Sequence, residues 1–160
     1  MTPHRWLPAL AGAAMVLAGC ADRPGDELND RLAERETEVA SCEASACADE
    51  LAALARALGG LPGVVEVAQA RYREEQGTAG ARVVGALVVD PGVRCDRLEE
   101  QAAELAWRSS VSPLAALHLD CGTPGTDPAQ RDAGYVGTPV RPTSAAQLDA
   151  WGDRGTLPPG

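Results

Sequence analysis

The first constraint on this chain is an apolar run at its N-terminus that ends in a cysteine. Residues 1–6 are short and carry Arg5, residues 7–18 are almost entirely apolar, and Leu17-Ala18-Gly19 stand directly before Cys20. A charged start, an apolar middle and a small-residue end are the three parts of a secretory signal, which is removed and adds nothing to the fold. As a helix, residues 7–18 would reach only about 18 Å, short of a hydrocarbon core of about 30 Å. The fold is therefore sought after residue 20, in an exported chain.

The Leu17-Ala18-Gly19-Cys20 stretch resembles the lipobox of bacterial lipoproteins. That resemblance implies residues 1–19 as signal peptide, cleavage before Cys20, and a diacylglycerol thioether on its sulfur. Two acyl chains are what stable anchoring requires, each buried CH₂ contributing about 0.8 kcal/mol. The implied location is the extracytoplasmic face of a cell membrane, held there by lipid.

Four further cysteines follow: Cys42, Cys47, Cys95 and Cys121. An even number in a small exported domain favours disulfides, and the Cys-x4-Cys spacing is not that of a zinc knuckle. The formal net charge is −9, with 14 basic residues, all arginine, against 23 acids. Such a surface disfavours nucleic acid and anionic lipid headgroups as partners.

Residues 20–44 read as an acidic tether after the lipidated cysteine. Leu28 and Leu32 share a helix face, but large apolar residues are otherwise sparse and a solvated spacer is the expectation. Residues 46–58 carry Leu51, Leu54, Ala55 and Leu58 on one stripe, closed by Gly59-Gly60: a helix. Residues 64–73 alternate as a strand with Gln69, Arg71 and Arg73 on the wet side, and a phase break places a bulge near Val67. Residues 81–89 are nearly continuously apolar, as a central strand is. Asp96 and Glu99 have capping-box spacing and open a second helix to about Ser109. Residues 111–121 form a last strand, with Leu117, Leu119 and Cys121 pointing one way and His118 and Asp120 the other.

The order predicts an α+β class: a small ferredoxin-like domain over residues 45–121, either a full βαββαβ unit whose first strand is residues 36–42, or a truncated αββαβ unit without it. In that order the strands at 81–89 and 111–121 run parallel, so Cys95 and Cys121 reach the same sheet edge. Cys121 also shares the inward phase of its strand. The predicted pairing is Cys95–Cys121, worth about 3 kcal/mol by loop entropy, with Cys42–Cys47 closing a short loop. Residues 122–160 hold six prolines and seven glycines and read as a largely disordered tail, with one short helix over residues 143–151.

Little in the sequence points to catalysis. There is no Gly-x-Ser-x-Gly, Walker or dinucleotide motif, and His118 is the one histidine outside the signal segment. No cofactor is implied. Trp107 is a candidate interaction residue, since its helix angle sets it away from the core stripe; the competing reading has the tail fold back over it. His118 and Asp120, two apart on one strand, are the candidate metal ligands. The runs Leu61-Pro62-Gly63-Val64, Val88-Val89-Asp90-Pro91 and His118-Leu119-Asp120 resemble in topology the C-terminal domain of cation-diffusion-facilitator transporters. That resemblance, over residues 61–120, implies an αββαβ domain that dimerises and binds zinc partly through such a histidine. This chain lacks that family's six-helix membrane part and its other histidines. The expected role is a non-catalytic binding or assembly module with a protein partner in the cell envelope.

Overall fold

Apolar side chains in this chain fall into two helical stripes and three strand patterns, and burying them together requires a sheet with helices on one face. The structure, a computed structural model, describes residues 24–37, 47–74, 80–127, 130 and 132–158. Its elements are α1 (Pro24–Thr37), α2 (Ala48–Gly59), β1 (Val64–Arg73), β2 (Arg82–Val89), a 3-10 turn (Cys95–Leu98), α3 (Glu99–Arg108), β3 (Ala116–Gly122), β4 (Gly134–Pro139) and α4 (Ala145–Trp151). The four strands form one mixed sheet in the order β1-β2-β3-β4. β1 is antiparallel to β2, β2 parallel to β3, and β3 antiparallel to β4.

The class is α+β, and α2 through β3 follow the truncated αββαβ order. A full βαββαβ unit would insert its first strand between β2 and β3; here those two pair directly, Val83 beside Leu117 and Leu87 beside Cys121. β2 is internal and β1 lies at the edge, as the apolar run and the alternation predict. The phase break in β1 resolves into two register shifts, at Val64/Glu66 and at Ala68/Arg71, on either side of Val67. At the second, Gln69 takes a left-handed φ of 56° and the bulge settles onto Gly85, where a Cβ would stand 3.1 Å from the Ala70 Cα. A side chain there would push the β1 backbone away by a few tenths of an ångström, so glycine suits the close approach.

The core lies between α2, α3 and the sheet: Leu54 and Leu58 from α2, Leu105 and Ala106 from α3, and Val83, Leu87, Leu117 and Leu119 from the strands. Cys95 and Cys121 are bonded to each other with Cα atoms 6.4 Å apart, both fully buried. Ala133, leading into β4, donates its N–H to the Cys121 carbonyl and accepts from the Cys95 N–H. The expected capping box does not form: Asp96 is taken by Arg94 at 2.6 Å instead, and α3 starts without a side-chain cap.

Two expectations are corrected. Residues 122–160 are not a largely disordered tail. They supply β4 and α4, and Val136, Val140, Leu148 and Trp151 enter the core. β4 is hard to read from sequence because two glycines and a proline interrupt the strand-forming Tyr135, Val136 and Thr138; the free edge of β3 supplies the pairing. α4 is better written in the sequence: Gln147 N–H donates to Ser144 Oγ, and Gln147 Oε1 accepts from the Thr143 N–H. The second correction concerns the tether. Within residues 20–44, α1 is a docked helix rather than a solvated spacer. Leu32 is 1% exposed, while Arg31 pairs with Asp149, Arg35 with Asp153 and Glu36 with Arg141. Three of its charges, expected to be solvated, have partners on the C-terminal segment.

Candidate functional site

Strand alternation sends every second side chain of the sheet away from the helices. On that open face Arg71 pairs in register with Val84, Arg73 with Arg82, and His118 with Val84 and Gly137. Together with Gln69, Ala86, Asp120, Asp127 and Tyr135 most of these line a groove of about 370 Å³. The bulge at Ala68/Arg71 decides the phase: it brings both Ala68 and Arg71 onto the open face, which unbroken alternation would not do.

Arg82 and His118 are hydrogen bonded, guanidinium to Nδ1, at 3.0 Å. A guanidinium has no acceptor, so it donates and His118 Nδ1 must carry a lone pair. The ring is then neutral, with its proton on Nε2. Burial first, and the Arg82 charge second, push the His118 pKa down, in agreement with that geometry. The Tyr135 ring stands edge-on to His118, centroids 5.9 Å apart, and lies over Gly137 where a side chain would meet it. Asp120 and Asp127 each already have an interaction partner. Arg71 and Arg73 make no ion pair or side-chain hydrogen bond among the described residues, and both are exposed.

This arrangement offers hydrogen-bond donors. His118 gives its Nδ1 lone pair to Arg82 and holds a proton on Nε2, so it is not placed to act as a base in this state. The groove lining described above contains no serine, threonine or cysteine nucleophile. His118 and Asp120 do share the groove, as their spacing predicts, but among the described residues no group of three histidine, cysteine or acidic side chains could hold a metal ion.

At Trp107 the structure follows the reading in which the tail folds back over it, and the residue is not an exposed interaction anchor. It is 1% exposed, its Nε1–H donates to the Gly152 carbonyl at 3.0 Å, and the Arg154 guanidinium lies 5.1 Å from its ring centroid. Residues 152–156 fold back across the end of α3: Arg154 Nη2 donates to the Val111 carbonyl, and Arg108 and Thr156 bond each other through two hydrogen bonds. Cys20 and Cys42 lie outside the described residues. Cys47 is disulfide-bonded, while its predicted pairing with Cys42 falls outside them too.

Sequence reasoning found His118 and Asp120 but not their neighbours. From the sequence, Arg71 and Arg73 read only as a wet strand face, and Tyr135 falls within the stretch that reads as a tail. The available signal was the Arg-x-Arg repeat at an interrupted alternation beside a strand whose outward phase carries His118. Among the described residues, no helix is long and apolar enough to cross a membrane. No protein-family model matches this chain, no curated protein matches it, and no solved structure matches it.

Proposed function

We propose that this chain is a lipid-anchored, non-catalytic binding or assembly module of the bacterial cell envelope, held at the extracytoplasmic face of a membrane through Cys20 and engaging an envelope partner through the open face of its sheet. The observation that carries the reading is the asymmetry of that sheet. One face is closed by α2 and α3, whereas the other presents a groove with two exposed arginines that make no ion pair among the described residues, in a chain of net charge −9. A groove of this volume lies within the range of ligand sites, about 300–1,000 Å³. The anchor half of the reading rests on Leu17-Ala18-Gly19-Cys20 behind its apolar run. A docked α1 beginning four residues after Cys20 would keep the domain close to the bilayer.

The test places a photo-crosslinking residue at Val84, in the groove, or at Gln101, exposed on α3, in the full chain expressed in a bacterium. Defined adducts from position 84 and few from position 101 are expected, together with membrane fractionation that Cys20→Ser abolishes. Equal adducts from both positions would refute the binding face. An unmodified Cys20 by intact mass would refute the anchor.

A further inference from the structure

Among the described residues, the open-face groove carries two arginines that no acid pairs. Arg73 stands directly across from Arg82 in the β1/β2 pairing, and like charges in that position repel. Arg71 is two residues away on the same face and lines the same groove. The acids that share the lining, Asp120 and Asp127, are already engaged. Arg82 spends one of its donors on the neutral ring of His118. Arg71 and Arg73 are left without an ion pair among the described residues, with Gln69 and His118 beside them as neutral groups able to donate. The methyl groups of Val84 and Ala86 and the ring of Tyr135 give the groove a compact apolar part.

Resting on the reading of this face as the binding surface, we propose that the groove is a site for a small organic ligand bearing two carboxylates, which Arg71 and Arg73 hold by charge-assisted hydrogen bonds while its short carbon body lies against Val84 and Ala86. Guanidinium and carboxylate match in geometry, each able to bond the other in bidentate fashion. Two carboxylates answer these two arginines and relieve the repulsion between Arg73 and Arg82. The strained backbone at Gln69 has a place in the same design, because without the bulge Arg71 would leave the face.

Paired carboxylates occur on a free dicarboxylic acid and on a peptide that ends in glutamate, so the test uses both. The full chain is titrated with glutarate, with the N-acetylated peptide acetyl-Ala-Ala-Glu, and with the neutral diamide glutaramide at matched ionic strength, following backbone amide resonances. Saturable shifts confined to residues 69–73, 84–86 and 118–120 are expected with the two dianions and none with glutaramide. The tighter of the two dianions identifies the source. Arg71→Gln and Arg73→Gln should each weaken binding about tenfold, the cost of one charged hydrogen-bond pair, and each should leave the spectrum of the remaining residues folded. Three results would overturn the proposal: no saturable shift with either dianion up to about 100 mM, far weaker than a millimolar site; shifts spread over remote arginines such as Arg56 and Arg97; or equal binding by glutaramide. Loss of glutarate binding with position-84 crosslinks retained would reject the ligand and keep the binding face. Loss of both would reject the face.

Discussion

The two faces of this sheet carry nearly equal numbers of side chains and use them oppositely. On the helix-covered face Val83, Leu87, Val89, Leu117, Leu119 and Cys121 are each fully buried. Across the same strands, Arg71, Arg73, His118, Asp120 and Tyr135 remain at a groove. A small domain has a limited apolar area to close, so one face supplies the cohesion. The other is then released from packing and is free to hold charge. The covered face should therefore govern stability and the open face recognition, with little exchange between them.

That division breaks most visibly under core truncation. Leu119→Ala removes a fully buried side chain facing the helices and should cost about 2–5 kcal/mol in denaturant unfolding. A cost near zero would mean that the covered face is not the core. Second in size is the covalent staple. Replacing both Cys95 and Cys121 by alanine opens a loop with a sequence separation of 26 and should lose about 3 kcal/mol by the same assay. The residues that follow β3 would feel it most, because Ala133 hydrogen-bonds to both cysteines.

The open face enters stability through proton binding. His118 is held below its ordinary pKa by burial and by Arg82, so the unfolded chain binds a proton near pH 6.5 that the folded chain still refuses. Between that pH and the lower folded value, the unfolded state carries more protons and stability falls as pH falls. Unfolding followed from about pH 7.5 to about pH 5 should show this slope, and His118→Gln should flatten it. A slope unchanged by the substitution would place its origin elsewhere. The smallest effect belongs to Arg71→Gln and Arg73→Gln, each expected within about 0.5 kcal/mol of the parent. Arg73→Gln lies on the stabilising side, since it removes the repulsion with Arg82.

The covered face was also the legible one. The period-3.6 stripe of α2, the apolar run of β2 and the inward phase of Leu117, Leu119 and Cys121 each state their burial within a few residues, and the Cys95–Cys121 pairing follows from strand direction together with that inward phase. The rest depended on contacts between distant segments. β4 is ordered by the edge of β3, Leu32 of α1 is buried against the domain far from its own helix, and Trp107 meets residues 152–154, some 45 positions later. Local composition rich in proline and glycine reads as disorder when the partner that orders it lies elsewhere in the chain. The groove combines both cases. His118 and Asp120 announced themselves by spacing, whereas Tyr135 arrived only with β4, and Arg71 only through a bulge.

Arginine reactivity tests the exposure of the open face most directly, because one arginine elsewhere in the fold is buried and serves as the internal reference. Arg71 and Arg73 are exposed at the groove, whereas Arg154, on the returning C-terminal segment, is 7% exposed where it packs over Trp107. Phenylglyoxal labelling of the folded full chain, read residue by residue by mass spectrometry, should modify Arg71 and Arg73 rapidly and leave Arg154 protected until the protein unfolds. Arg154 reacting as fast as Arg71 in the folded chain, or Arg71 and Arg73 protected alongside it, would contradict the account.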